Sequence, residues 1–269
     1  MNKISALVSD VDGTVVTHDK QVAPRTREVA AKLKARGIAF AIISGRPPRG
    51  MRMLVEPLGI TTPIAGFNGG QFTTPDLKPL EDHALAPEAA RRTHDLLASK
   101  GISIWVFDGS DWMIRDLDGP HVANEQRAVQ YDPIVVKDFD KALAAAHKIV
   151  GVCDDYERLA RIEAELQAAL GDTAAATRSQ RYYLDVTHPQ ANKGVGVQRL
   201  AVLMGVPMNE IAVIGDGGND VEMFQQSSLS IAMGNASDEV KKHAHFVTGS
   251  NDEDGFADAV EKYVLGAAR

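Results

Sequence analysis

Several features that mark particular classes of protein are scarce in this sequence. Its 269 residues include a single cysteine, Cys153, so the chain cannot form an internal disulfide. No apolar run approaches the roughly 18 residues of a membrane-spanning helix, and the run near the N-terminus is too short for the core of a signal peptide. Low-complexity tracts and internal repeats are also missing. We therefore expect an ordinary folded protein located in the cytoplasm, without a membrane partner.

Positive charge is in the minority. Lys and Arg number 29 against 36 Asp and Glu, which gives a formal net charge of −7, and no stretch concentrates basic residues. A protein that binds the phosphate backbone of nucleic acid needs a basic face that displaces counterions. The charge balance therefore argues against a nucleic-acid partner.

The length and composition are those of a globular protein with room for a large core, since 44% of the residues are hydrophobic and 24% are charged. Short apolar runs alternate with amphipathic stretches up to about residue 82 and again after about residue 192. This alternation of predicted strands and helices indicates a parallel sheet covered by helices on both faces. The predicted strands are "ISALV", "IAFAII", "PIAG", "IAVIG" and "LSIAM".

The middle of the chain has a different pattern. Between residues 84 and 188, "ISIWVF" and "WMIRDL" predict a hairpin, "YERLARIEAELQAALG" predicts a helix, and "AAATRS" and "YYLDV" predict paired strands. We expect Trp105, Trp112, Tyr182 and Tyr183 to serve mainly in hydrophobic packing there. The predicted fold class is α/β, with a doubly wound, Rossmann-like parallel sheet formed by residues 1–83 and 189–269 and an inserted α/β domain formed by residues 84–188.

Polar residues follow the predicted strands at the points where the strands end. In an open parallel sheet these carboxyl ends form the ligand-binding edge. Bringing several aspartates together there costs about 4 kcal/mol for each pair at ~4 Å and an effective dielectric near 20, so the arrangement calls for a cation. Oxygen ligands without His or Cys favour Mg2+, which also accepts phosphate oxygens. The residues that follow the predicted strands, or precede a late helix, at this edge are Asp10, Asp12, Gly13 and Thr14; Ser44, Gly45 and Arg46; Asn192 and Lys193; and Asp216, Asn219 and Asp220.

The order Asp-x-Asp-Gly-Thr, Ser-Gly-Arg, Lys and Gly-Asp-x-x-Asn-Asp resembles the haloacid dehalogenase superfamily, specifically its Cof-type phosphatases of subfamily IIB, which carry an inserted α/β cap. The resemblance spans essentially the whole chain. Residues 68–70, "NGG", differ slightly from the usual Asn-Gly-Ala, and we expect no effect of this difference on the chemistry.

The resemblance implies a role for each motif residue. Asp10 would be the nucleophile, and Asp12 the general acid and base. The implied phosphate or substrate ligands are Ser44, Gly45, Arg46, Lys193 and Asn219. For Arg46 a surface ion pair is the alternative. The implied metal ligands are Asp10, Asp12 through its backbone carbonyl, Asp216 and Asp220.

Together these features predict a Mg2+-dependent phosphatase that hydrolyses a small phosphorylated metabolite, either a sugar phosphate or a nucleotide-like cofactor phosphate, through an aspartyl-phosphate intermediate. Two alternatives stay open: a phosphomutase of the phosphomannomutase type, and a non-catalytic protein that binds a phosphometabolite. The sequence leaves the physiological substrate, the oligomeric state and the choice between Mg2+ and Mn2+ undecided.

Overall fold

The computed structural model describes residues 3–109 and 111–266. Its strands are β1 (Ala6–Ser9), β2 (Ala39–Ile42), β3 (Ile64–Gly66), β4 (Gln71–Thr73), β5 (Pro79–Asp82), β6 (Ser103–Asp108), β7 (Asp111–Ile114), β8 (Ile134–Val135), β9 (Lys148–Val152), β10 (Ala175–Gln180), β11 (Tyr183–Thr187), β12 (Ile211–Gly215), β13 (Leu229–Ala232) and β14 (Phe246–Val247). Its helices are α1 (Pro24–Ala35), α2 (Arg52–Leu58), α3 (Pro87–Ser99), α4 (Val122–Val129), α5 (Asp140–Leu143), α6 (Tyr156–Leu170), α7 (Lys193–Met204), α8 (Val221–Gln226), α9 (Asp238–Lys241) and α10 (Gly255–Ala259). No helix within the described ranges is long and apolar enough to cross a membrane.

A five-stranded parallel sheet has the order β14-β13-β12-β1-β2. Its strands are buried on both faces, because Leu7 packs into a cluster with α1, α2 and α10, whereas Val8 packs into a second cluster with α7 and α8. The α/β, doubly wound fold class is confirmed. From β1 the chain proceeds outward to β2 on one side, and the later strands lie on the other side. The crevice between the carboxyl ends of β1 and β12 is therefore the topological switch point of the sheet.

A six-stranded sheet, β10-β11-β9-β6-β7-β8, is formed by residues between 103 and 187. Because side chains alternate along a strand, its two faces carry different clusters. Val106 and Ile149 pack under α3, α5 and α6 on one face. On the other face, Trp105 and Phe107 pack with Phe67, which lies in the polypeptide before the insertion. The predicted hairpin, the long helix and the two paired strands are all present, whereas α3 and α4 were not predicted.

The strand predicted at "PIAG" exists as β3, but it does not extend the parallel sheet. It belongs to a three-stranded antiparallel sheet, β3-β4-β5, and an isolated parallel bridge between Ile43 and Ala65 joins it to the edge of the parallel sheet. A short apolar run identifies a buried strand, but it does not specify which strand lies beside it.

The chain passes between the two larger sheets near residues 83 and 188. The rings of His83 and His188 stack there, with 5.5 Å between their centroids. The two connecting segments therefore run side by side.

Candidate active site

Asp10 lies immediately after β1 and is 5% exposed, at the carboxyl edge of the parallel sheet. The turn that follows depends on Gly13, whose φ is +77°. A Cβ atom on Gly13 would lie 2.3 Å from Asp216 Oδ2, so a side chain there would collide with the loop that follows β12. Gly13 therefore permits both the turn and the close approach of the loops that follow β1 and β12.

Asp10, Asp216 and Asp220 offer carboxylate oxygens that all lie within 4.8 Å of one another. Burial raises the pKa of Asp10 well above its usual value. Burial, reinforced by the neighbouring Asp220, raises the pKa of Asp216 to about 6. A divalent cation would relieve this repulsion, and an all-oxygen set of donors suits Mg2+. The three carboxylates therefore fit the metal that the sequence implied.

Lys193 lies among these carboxylates and is 1% exposed. Its Nζ atom donates to Asp10 Oδ1 at 2.5 Å and to Asp220 Oδ1 at 2.6 Å. Burial opposes the charged form of Lys193, but the two carboxylates outweigh that effect and raise its pKa. Asn192 caps α7 by accepting a hydrogen bond from the backbone N–H of Val195, which holds Lys193 at the first helical position.

Asp220 connects Lys193 to the loop that follows β12. Its Oδ2 atom accepts hydrogen bonds of 2.8 Å from the backbone N–H groups of Asp216 and Gly217, and its other oxygen binds Lys193. The Asp216 carboxylate accepts hydrogen bonds of 3.1 Å from the Thr14 hydroxyl and from the Asn235 amide. Asp220 thus shapes the loop after β12, whereas Asp216 is held with its carboxylate in the crevice.

Asp12 lies in the same loop as Asp10, but its carboxylate is outside the acidic group. It accepts two hydrogen bonds of 2.6 Å from Arg46, and Lys20 Nζ lies 2.6 Å from it. Burial would raise the pKa of Asp12, but Arg46 and then Lys20 outweigh it and lower the pKa to about 2. With its side chain held in this way, Asp12 can offer a metal only its backbone carbonyl.

Arg46 pairs with the partly exposed Asp12, but Arg46 itself is buried, so this is not the surface ion pair weighed from the sequence. Besides Asp12, its guanidinium donates to the backbone carbonyl of Gly50 at 3.2 Å and to that of Ala128 in α4 at 2.5 Å. Arg46, which was predicted to bind phosphate or substrate, therefore connects the loop after β2 with the loop after β1 and with the inserted segment.

The remaining predicted ligands surround this centre. Ser44 is buried, and its hydroxyl accepts a hydrogen bond of 3.2 Å from the backbone N–H of Arg46. The carbonyl of Gly45 accepts a hydrogen bond of 3.1 Å from Lys148. Asn219 lies outside the acidic group and donates to Asn68 at 3.1 Å. Asn68, the first residue of the "NGG" segment, therefore contacts a predicted site residue, whereas the segment departs from Asn-Gly-Ala at Gly70.

Four residues in contact with the site were given no role from the sequence. Thr14 ends the first motif and Asn68 begins the "NGG" segment, so both positions were usable signals. Asn235 donates to the Gly13 carbonyl at 2.9 Å as well as to Asp216, although nothing in the sequence near it suggests this. The four residues are Thr14, Lys20, Asn68 and Asn235.

Comparison with known proteins places this geometry in context. Residues 7–260 match a family model described as haloacid dehalogenase-like hydrolase. A Haemophilus influenzae protein that bears a provisional phosphatase name is 30% identical over 258 residues, which are 96% of this chain and 97% of the relative. A 5-amino-6-(5-phospho-D-ribitylamino)uracil phosphatase from Bacillus subtilis is 27% identical over 288 residues, with 98% of this chain and 99% of the relative covered.

The solved structures agree with the sequence relatives. A haloacid dehalogenase-like hydrolase from Bacteroides thetaiotaomicron superposes with a TM-score of 0.89 at 28% identity, covering 97% of this chain and 99% of the other. The resemblance stated from the motifs is confirmed over nearly the whole chain.

Proposed function

The chain belongs to the haloacid dehalogenase-like hydrolase family, and we propose that it is a Mg2+-dependent phosphatase that hydrolyses a small phosphorylated metabolite through an aspartyl-phosphate on Asp10. The observation that carries this proposal is the contact of 2.5 Å between Asp10 and Lys193 beside the carboxylate of Asp216. A buried carboxylate held between a cation and a metal-binding group is suited to attack phosphorus.

Asp10, Asp216, Asp220 and the backbone carbonyl of Asp12 would hold the metal. When bound, Mg2+ neutralises the phosphoryl oxygens and orients them for in-line attack. Lys193 shares this task, since its ammonium group already lies next to Asp10, and the Ser44 hydroxyl offers a further hydrogen bond to the phosphoryl group.

The chemistry then proceeds in two steps. An Asp10 oxygen forms a bond to phosphorus while the bond to the leaving oxygen breaks, and Asp12 gives that oxygen a proton. Water next attacks phosphorus and gives its proton to Asp12, and the bond between phosphorus and Asp10 breaks to release inorganic phosphate. Arg46 and Lys20 keep Asp12 ionised in the absence of substrate. A bound phosphate would compete for both cations and thereby raise the pKa of Asp12 for its role as an acid.

We further propose that residues 84–188 act as a cap that covers the carboxyl edge of the parallel sheet. Two hydrogen bonds support this assignment of a cap: Arg46 donates to the carbonyl of Ala128, and Lys148 donates to the carbonyl of Gly45. Both connect the insertion to the loop that carries Ser44. A cap in this position excludes water from the reacting groups and contacts the leaving group.

The test is a screen for phosphate release over sugar phosphates, nucleotides, pyridoxal phosphate and flavin phosphate, with Mg2+ present and with a chelator. We expect Mg2+-dependent release of inorganic phosphate, and mass spectrometry of acid-quenched reactions should find the phosphoryl group on the peptide that contains Asp10. Isomerised product without phosphate release would instead show a phosphomutase. Absence of both products across the panel would leave a binding protein.

A further inference from the structure

The turn between β3 and β4 has an unusual backbone at three successive residues. Phe67, Asn68 and Gly69 have φ values of +52°, +59° and +98°. Only the third is glycine, and the left-handed region is unfavourable for other residues, above all for bulky ones. Backbone strain of this kind persists where the surrounding structure holds the chain firmly, and it is concentrated at functional sites. The contacts of the turn therefore indicate what it supports.

Backbone contacts join this turn to the loop after β2 and to α7. The N–H of Phe67 donates to the carbonyl of Arg46 at 2.9 Å, and the N–H of Asn68 donates to the carbonyl of Ser44 at 2.8 Å. A Cβ atom on Gly69 would lie 3.0 Å from a backbone atom of α7. The turn is thus wedged between the loop that carries one predicted phosphate ligand and the helix that begins with another.

The side-chain amide of Asn68 lies between two predicted phosphate ligands, Gly45 and Asn219. Asn68 Oδ1 accepts a hydrogen bond of 3.1 Å from Asn219 Nδ2. The same amide packs over Gly45, because a Cβ atom at Gly45 would lie 3.5 Å from Asn68 Oδ1 and 3.7 Å from Asn68 Nδ2. Asn68 therefore connects the Ser-Gly-Arg motif with the Gly-Asp-x-x-Asn-Asp motif.

Asn219 depends on Asn68 for its orientation. It is exposed and lies in a single 3-10 turn, Gly218–Asp220. Within residues 3–109 and 111–266, its side chain makes no hydrogen bond other than the one to Asn68. Phosphoryl oxygens accept hydrogen bonds, so they require the nitrogen of an amide rather than its oxygen. One N–H of Asn219 Nδ2 binds Asn68, and the second stays available for a phosphoryl group.

We propose that Asn68 is a positioning residue for phosphate binding: its amide oxygen holds Asn219 Nδ2 so that the second N–H of that group donates to the phosphoryl group. The proposal rests on the proposed phosphatase function, which makes Asn219 a phosphate ligand. Holding the amide in one orientation before phosphate binds lowers the ordering cost of binding. The left-handed backbone by itself also favours Asn at this position, so the test must separate the side chain from the backbone.

Asn68→Gly makes this separation, because glycine suits the left-handed conformation and lacks the amide. The readout is the Kd of inorganic phosphate, measured by isothermal titration calorimetry with saturating Mg2+. We expect Asn219→Ala to raise this Kd by about tenfold and Asn68→Gly to raise it by about fivefold. Because Asn68 acts through Asn219, the double variant should bind phosphate as Asn219→Ala does, within about twofold.

Gln130→Gly is the matched control. Gln130 is exposed, has a φ of +61°, and donates its amide hydrogen bond to the nearby carbonyl of Arg127. This variant also replaces a left-handed residue that carries an amide, and it should keep the wild-type Kd. Thermal melting of every variant shows that it is folded before its Kd is interpreted.

Two results would overturn the assignment: a Kd in Asn68→Gly within about twofold of the wild type, or a double variant that binds phosphate clearly more weakly than Asn219→Ala, as independent losses require. Phosphate release by the wild type would in either case leave the proposed phosphatase function standing. If the wild type releases no phosphate from any substrate, the proposed function fails, whereas the Kd values still decide whether Asn68 acts through Asn219. A wild type that binds no phosphate would overturn the assignment as well.

Discussion

Arg46 holds Asp12 through two hydrogen bonds of 2.6 Å, so the proposed general acid and base is fixed by a planar, bidentate clamp. The same guanidinium binds the carbonyl of Ala128 in the insertion. One side chain thus connects the orientation of Asp12 with the position of the proposed cap.

Arg46→Lys tests this clamp, because lysine keeps the charge but cannot form the bidentate pair. We expect kcat to fall by about 10- to 100-fold, equivalent to about 1.4–2.7 kcal/mol of barrier, when phosphate release is measured at saturating substrate. Arg52→Lys, an exposed residue of α2, is the matched control and should behave as wild type. A kcat within twofold of wild type in Arg46→Lys would show that Asp12 does not depend on the clamp.

Asp10→Asn removes the proposed nucleophile while keeping its shape. We expect at least about a hundredfold loss of turnover, or ~2.7 kcal/mol of barrier, in phosphate-release assays, together with loss of the covalent phosphoryl group. The control is Asp19→Asn, an exposed residue in the loop between β1 and α1. More than a tenth of the wild-type rate in a folded Asp10→Asn protein would remove Asp10 from the mechanism.

Mg2+ should raise the melting temperature of the wild type, because the cation binds the crowded carboxylates of the folded state and has no such site in the unfolded chain. At a hundredfold excess over the dissociation constant, the expected stabilisation is about 2.7 kcal/mol. Asp216→Ala should reduce both this shift and the Mg2+-dependent activity. If metal changes neither melting nor activity in the wild type, the acidic group is not a metal centre.

Asn235 allows a test of whether hydrogen bonds to Asp216 position that carboxylate for metal binding. Its amide donates to both Asp216 and the Gly13 carbonyl, so Asn235→Ala should weaken Mg2+ affinity by about tenfold without removing a predicted ligand. Titration of the melting temperature against Mg2+ measures this. Asn209→Ala, an exposed residue, is the control. Equal Mg2+ affinities in the two variants would show that Asn235 does not support Asp216.

The site residues could be predicted where they directly follow strands. Asp10 and Asp216 come after apolar runs, and neighbouring parallel strands bring such positions to one edge of the sheet. Asn235 could not be found in this way, because its contact with Gly13 joins residues 222 positions apart and depends on how the last loops fold back. Pairings of this kind are set by tertiary packing and leave no local pattern.

The structure of residues 84–188 could also be predicted only where the sequence carries a local pattern. Its hairpin was predictable because "DGSD" separates two apolar runs. The N-cap residue of α4, His121, has a φ of +61° and makes no capping hydrogen bond with its side chain. A helix without a start signal is not visible in a short polar stretch.

The stacked histidines between the two bodies predict how stability depends on pH. Burial, and then the neighbouring His83, lower the pKa of His188 below its usual 6.5. Its Nδ1 atom also accepts a hydrogen bond of 3.1 Å from the backbone N–H of Gln190, a contact that protonation of Nδ1 would break. The native state therefore binds fewer protons than the unfolded chain, and this contribution to the free energy of unfolding is lost as the pH falls below about 6.5.

His188→Gln should consequently lose less stability than the wild type when the pH is lowered from about 7.5 to 5.5, even if it is less stable at the upper end. Urea unfolding at several pH values, with a chelator present so that metal binding does not contribute, measures the difference between the two slopes. Other titrating groups such as Asp216 contribute equally to both proteins, so their effects cancel on subtraction. His18→Gln, an exposed residue, should keep the wild-type slope. If His188→Gln and His18→Gln show the same slope, His188 stays as easily protonated in the folded protein as in the unfolded chain, and the stacked pair does not sense pH.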